Sequence, residues 1–167
     1  MTAATHHLAQ LNIARLLVPL DSPQVADFVA ALDPVNTLAD SAPGFVWRLQ
    51  TEDGDATAVR IWDDDRIIVN MSVWESVEAL SNFVYRSDHV SVMRRRREWF
   101  ETMGQAFMVL WWIPAATVPT VAQATARLAR LEALGPTPDA FTLRAWFAPP
   151  GRPAERHDDD RSTCDVR

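Results

Sequence analysis

The sequence predicts an α+β fold, a ferredoxin-like antiparallel sheet with helices on one face. Two segments, 7–17 and 66–74, carry apolar side chains in the alternating pattern of strands. The predicted elements follow one another as strand, helix, strand, hairpin partner, helix and strand, which is the order of this sandwich. A further helix and strand after Trp112 are appended to that minimal unit.

The boundaries of the elements are set by residues that start and stop helices and strands. Pro23 after Ser22 signals a helix start, and Pro34 is expected to bend or restart that helix. Ser87 and Asp88 are expected to separate two later helices. The predicted elements are a strand over 7–17, a helix from 23, a strand over 45–50, a hairpin of 56–62 and 66–74 joined by three aspartates, helices over 75–86 and 89–102, a strand over 107–113, a helix over 120–134 and a strand over 140–147.

The 167 residues are expected to form a single domain over 1–148. From Pro149 the chain is rich in proline, aspartate and arginine and has no periodicity. Segment 149–167 is therefore predicted to be a disordered tail whose deletion leaves stability unchanged.

Both faces of the strand over 66–74 are substantially apolar, whereas the predicted helices cover only one face of the sheet. A second sheet is expected to cover the other face, most simply from a twin subunit. The sequence therefore predicts a homodimer.

Composition excludes several classes of function. The net charge of −6 disfavours nucleic-acid and anionic-membrane partners. All 16 basic residues are arginine, which rules out Schiff-base chemistry and a P-loop lysine. The single cysteine, Cys164, provides no disulfide and no cysteine-based zinc site. Without an apolar run of about 20 residues or a signal-peptide pattern, we expect a cytoplasmic protein.

Several motifs resemble known proteins. A strand that ends in Trp-Glu-Ser and starts a helix over 69–80, followed by Arg-Ser-Asp-His at 86–89, resembles the dimeric α/β-barrel superfamily. That superfamily includes antibiotic-biosynthesis and haem-degrading monooxygenases. A closer resemblance, over roughly residues 7–147, is to the bacterial family named domain of unknown function 3291. This closer resemblance rests on segments 7–15, 43–50 and 94–100 together with the segment around Trp74.

The resemblance implies a pocket between sheet and helices. Cofactor-free members of the superfamily hold an ionisable aromatic substrate against oxygen with Asn, Trp, Tyr or Arg side chains, and haem members bind iron through a helical histidine. Asn70, Trp74 and His89 correspond loosely to the residue types that these superfamily members use. The resemblance thus implies no cofactor, with haem as an alternative that uses His89 as axial ligand.

The catalytic candidates are His89, Asn70 and Tyr85. His89 can act as acid, base or metal ligand near neutral pH, or can be a hydrogen-bonded residue at a helix start without chemistry. Asn70 lies among aliphatic residues of a strand and needs partners if buried, so it either binds a ligand or is satisfied in the core. Tyr85, the only tyrosine, either holds a phenol or tethers a helix end.

Other side chains are expected to bind substrate because they share a strand or helix face with these candidates or form an aromatic wall. Core packing alone accounts equally well for the aromatic residues. No metal site is expected apart from haem, because no histidine or carboxylate spacing supports one. The predicted substrate-binding residues are Asn12, Trp47, Trp74, Met93, Arg96 and Trp111.

Three functions remain open. The first is a small-molecule tailoring enzyme, resembling cofactor-independent monooxygenases, that acts on a flat apolar or aromatic substrate. The second is a haem-binding protein. The third is a non-catalytic ligand-binding dimer whose polar residues only satisfy the core.

Overall fold

A four-stranded antiparallel sheet forms the centre of the computed structural model, which describes residues 5–153 and 156–158. The strand order is β2-β3-β1-β4, which is that of a ferredoxin-like sandwich. The predicted α+β fold class is therefore confirmed. The strands are β1 (His6–Arg15), β2 (Phe45–Arg48), β3 (Ile67–Trp74) and β4 (Met108–Pro114).

The register between β1 and β3 gathers polar side chains on one face of the sheet. Asn12 lies opposite Asn70, and Gln10 lies opposite Ser72. Because side chains alternate between the two faces of a strand, these four share a face. We call it the polar face.

Helices α1 (Ala26–Asp40), α2 (Val77–Arg86), α3 (His89–Arg94) and α4 (Arg96–Trp99) lie on the side of the polar face. The helix does not restart at Pro34, because α1 continues through it. The carbonyl that loses its donor belongs to the exposed Ala30, where water can replace the missing amide. The hydroxyl of Ser76 caps α2 by accepting from the amide of Ala79 at 3.1 Å.

The helix predicted over 89–102 is shorter and divided. The amide of Arg95 donates to the carbonyl of Val92, three residues earlier, and this tight turn separates α3 from α4. Phe100 then leaves the helix and forms a bridge with Leu16 at the end of β1.

The predicted hairpin partner over 56–62 is not a strand but a series of turns and bends. β2 occupies the edge of β3 that this segment was expected to pair with, since Phe45 lies opposite Trp74. Asp64, one of the three aspartates predicted to join the hairpin, accepts a hydrogen bond from Arg15 at 2.7 Å.

The face opposite the polar face is covered within the same chain. Helix α5 (Val121–Leu134) packs there through Ala124, Leu128 and Leu131. Sheet residues on this face, such as Met71 and Trp111, are each only 2% exposed. The helices of the ferredoxin-like unit lie on one face as predicted, but the appended helix covers the other, so the premise that a twin subunit must cover that face is wrong. The homodimer itself stays a prediction, which sedimentation at micromolar concentration would test.

After α5 the chain passes around the edge of the sheet. It turns at Gly135 and forms a bridge between Phe141 and Leu110 of β4. The strand predicted over 140–147 is limited to β5 (Ala145–Phe147), because residues 142–144 leave the sheet. We call residues 121–147 the wrapping segment.

Part of the predicted disordered tail is structured. Arg156–Asp158 forms strand β6 and pairs with β5, and the ring of His157 stacks on that of Trp146 with centroids 4.0 Å apart. Residues 154–155 and 159–167 lie outside the described residues. The helices that the structure describes include none long and apolar enough to cross a membrane.

Candidate functional site

A cleft separates the polar face of the sheet from helices α1 to α4. It has a smaller lobe of about 170 Å³ beside α1 and a larger lobe of about 640 Å³ that reaches the wrapping segment. Because the two lobes have lining residues in common, we treat them as one cleft. The shared residues are Asn12, Val35, Asn36, Arg48, Asn70, His89, Met93 and Arg96.

A row of hydrogen-bonded side chains forms part of the cleft floor. The amide nitrogen Nε2 of Gln10 donates to Oδ1 of Asn70 and to Oγ of Ser72, each at 3.2 Å. Ser72 Oγ also accepts from the indole Nε1 of Trp74 at 2.9 Å. We call Gln10, Asn70, Ser72 and Trp74 the polar row. All four line the larger lobe.

An aromatic wall rises from the polar row to α3. Trp74 contacts Phe45 edge-on at 5.4 Å between ring centroids and stacks with Phe83 at 5.1 Å. Phe83 in turn lies 5.1 Å from the imidazole of His89. This wall gives the cleft an apolar aromatic side beside its polar floor.

His89 is held at the border of both lobes. Its backbone amide donates to the hydroxyl of Ser87 at 3.2 Å, which fixes the start of α3. Burial lowers the pKa of the imidazole, and an interaction with the Val84 backbone carbonyl opposes this shift. The imidazole is therefore neutral at physiological pH. Its Nδ1 atom is buried and has no hydrogen-bond partner among the described residues.

The structure brings together most of the side chains that the sequence singles out. Asn70 lines both lobes from an exposed position on β3, joined there by Asn12 from β1. Met93 and Arg96 reach both lobes from α3 and α4. Tyr85 is 56% exposed and lines only the larger lobe. The structure thus supports a shared cleft for these residues without assigning any of them a role.

Two predicted aromatic positions lie elsewhere. Trp111 is buried in the hydrophobic cluster on the opposite face of the sheet. Trp47 packs against that cluster. Neither lines the cleft, so the expectation that both contact substrate is wrong. Both side chains project from the face that α5 covers. Trp112 projects from the polar face but donates its Nε1 hydrogen to the carbonyl of Phe147 at 2.8 Å and packs in the core beside the cleft.

The predicted site residues include neither Ser72 nor Gln10. The signal for both was the spacing of two residues on each strand: positions 10 and 12 on β1, and 70 and 72 on β3. Only the register places these pairs side by side. Arg144 is also absent from the prediction, since the path of the wrapping segment to the cleft is not readable from its sequence.

The described residues contain no group of three histidine, cysteine, aspartate or glutamate side chains placed to hold a metal ion. A haem would need a nitrogen of His89 as ligand. As the structure stands, Nδ1 is enclosed, so only Nε2 could serve.

Comparison with known proteins identifies a family. The sequence profile described as "Domain of unknown function (DUF3291)" matches residues 7–157. No curated protein matches the chain.

Solved structures provide distant similarities. One is SnoaB, a cofactor-independent oxygenase from Streptomyces nogalater, with 16% identity, coverage of 69% of this chain and 97% of that chain, and a TM-score of 0.45. Another is a protein of unknown function from Nitrosomonas europaea, with 13% identity, coverage of 71% and 99%, and a TM-score of 0.43.

Proposed function

The chain belongs to the DUF3291 family, whose name carries no activity, and we propose from the cleft that it is a small-molecule oxidoreductase. It acts, without a bound cofactor, on a flat, largely apolar or aromatic substrate. The reaction is of the oxygenase type, in which a deprotonated substrate reacts with molecular oxygen.

The observation that carries the proposal is the direction of the donors in the polar row. Gln10 donates to Oδ1 of Asn70, so the amide NH₂ of Asn70 is left to donate into the cleft. Ser72 Oγ accepts two hydrogen bonds and keeps its own hydrogen to donate. Two donors beside an apolar wall suit a substrate oxygen that gains negative charge.

His89 supplies the second requirement, a proton acceptor. Because burial keeps the imidazole neutral, it can take a proton from a phenol at neutral pH. The resulting anion reacts with oxygen at carbon, and loss of water gives a quinone. A phenol with a free para carbon and one O₂ thus yields one quinone and one water, and the proton on His89 leaves with that water.

Oxygen uptake with a panel of two- and three-ring phenols tests the proposal. We expect at least one phenol to be consumed together with oxygen. The rate should fall by about 100-fold or more in His89→Ala, since a positioned base contributes that much. Asn70→Ala should also slow it, whereas Trp47→Phe, outside the cleft, should not. If both cleft variants turned over such a substrate as fast as the wild type, these roles would be wrong.

Haem binding is the second candidate. The observation that favours it is that His89 lines the same lobe as Arg96 and Arg144, which have no carboxylate partner in the part of the chain that the structure describes, since a haem carries two propionates. Titration with haemin should then give a Soret band that His89→Ala abolishes. No band in either protein would exclude this candidate. Binding of phenols without turnover would instead favour a non-catalytic ligand-binding protein.

A further inference from the structure

The larger lobe is positively lined in a protein of net charge −6. Three arginines line it, and its described lining includes no aspartate or glutamate. The guanidinium of Arg48 is neutralised by Asp40 at 2.7 Å. Arg96 and Arg144 have no carboxylate partner among the described residues. The lobe therefore holds two uncompensated cations.

The two cations come from different parts of the fold. Arg96 begins α4 and is half-buried, with its guanidinium carbon 5.4 Å from the ring centroid of Phe107, which also lines the lobe. Arg144 is exposed and lies just before β5, in the wrapping segment. That segment also supplies Thr142 and Leu143 to the lobe, so it forms one wall of the site.

We infer that the larger lobe recognises an aromatic substrate carrying a carboxylate or a similar fixed anion, and that Arg96 and Arg144 bind this group. Guanidinium groups pair well with planar anions, and the partly enclosed lobe screens the pair less than open solvent does. The aromatic wall holds the ring system, and the wrapping segment sets specificity through Arg144. The inference deepens the proposed function and relies on the same cleft.

Two dyes of nearly identical shape test it. N-phenyl-1-naphthylamine is neutral, and 8-anilinonaphthalene-1-sulfonate is the same ring system with one anionic group added. Fluorescence titration of the full-length protein gives a Kd for each. We expect the anionic dye to bind about tenfold more tightly than the neutral one, and this preference to weaken as salt is raised.

The variants Arg96→Gln and Arg144→Gln should each lose about tenfold in affinity for the anionic dye and keep their affinity for the neutral dye. Unchanged binding of the neutral dye also shows that the cleft is intact. Arg94→Gln is the matched control, since Arg94 is exposed on α3 and does not line the cleft. It should bind both dyes as the wild type does.

Each other outcome overturns the inference in a recognisable way. Equal affinities of the wild type for the two dyes would show that the lobe does not select an anion. An equal loss for both dyes in the arginine variants would show that these side chains shape the cleft rather than bind charge. The same loss in Arg94→Gln would indicate a general surface effect. If the neutral dye did not bind to the wild type, the cleft would not be a binding site for aromatic molecules, and the proposed function would be wrong as well.

Discussion

The indole of Trp74 donates to the hydroxyl of Ser72 two residues away, with 2.9 Å between Nε1 and Oγ. Trp74 is 1% exposed, so this indole nitrogen has no access to water. The same hydroxyl accepts from Gln10, a buried side chain on the neighbouring strand. Ser72 therefore satisfies two buried donors at once and fixes the floor of the cleft.

Replacing Ser72 by alanine should destabilise the protein. The variant leaves the indole hydrogen of Trp74 and one amide hydrogen of Gln10 without an acceptor, and each buried unsatisfied group costs about 1–3 kcal/mol. We expect the free energy of unfolding from urea titration to fall by about 2 kcal/mol or more. Asn70→Ala is the matched control, because Asn70 is exposed and water can take its place. Equal losses in the two variants would contradict this account of Ser72.

Gly44 is required for two separable reasons. Its φ of +81° suits glycine, and a Cβ built there would lie 2.5 Å from the Cβ of Ala79 on α2. Gly44→Ala should lower the free energy of unfolding by about 2–4 kcal/mol, the sum of backbone strain and overpacking. Gly54→Ala isolates the backbone strain. Gly54 has a φ of +85°, and a Cβ built there would meet no neighbouring atom within 4 Å. It should cost about 1–2 kcal/mol. A cost at position 54 equal to that at 44 would show that the contact with Ala79 is unimportant.

His89 should make stability depend on pH. Its pKa is lowered in the folded protein by burial, so between that value and the ordinary value near 6.5 the unfolded chain binds more protons than the folded one. Stability should therefore fall as the pH is reduced from 7.5 to 5.5.

Urea titrations at both pH values on the wild type and His89→Gln measure this contribution. The other three histidines are present in both proteins and cancel in the comparison. The pKa values of Asp64 and Glu98 lie below their ordinary range, so neither carboxylate titrates in this window. The wild type should lose more stability than the variant. An equal or smaller loss would mean that His89 is not buried in its neutral form.

Local patterns predict much of the fold. The alternation in 66–74 and the helical stripe in 120–134 both correspond to elements in the structure, and Ser76 and Thr120 cap their helices through side-chain hydrogen bonds. The failure of the predicted hairpin results from competition between segments. Residues 56–62 have strand-like composition, but β2 takes the edge that they would pair with.

The candidate site is less predictable from the sequence because it depends on strand register and on the path of the chain. Asn70 stands out as a polar residue among aliphatic ones, and His89 and Arg96 share a face of the predicted helix. All three line the cleft. The alternation along β4 shows that Trp111 and Trp112 project from opposite faces, but it does not say which face the last helix covers. Arg144 reaches the cleft only because residues 121–147 wrap around the sheet.

The central claim is that the cleft between the sheet and the helices binds an aromatic ligand. Its most direct test compares binding of the neutral dye N-phenyl-1-naphthylamine by the wild type and by a variant whose cleft is blocked. Asn70→Trp places a bulky side chain at the junction of the two lobes, on a strand position that is exposed. Val46→Trp makes the same change at an exposed position of β2 outside the cleft. Saturable binding should persist in the wild type and in Val46→Trp and weaken by about tenfold or more in Asn70→Trp. Wild-type affinity in Asn70→Trp would place the binding site elsewhere on the molecule and contradict the account.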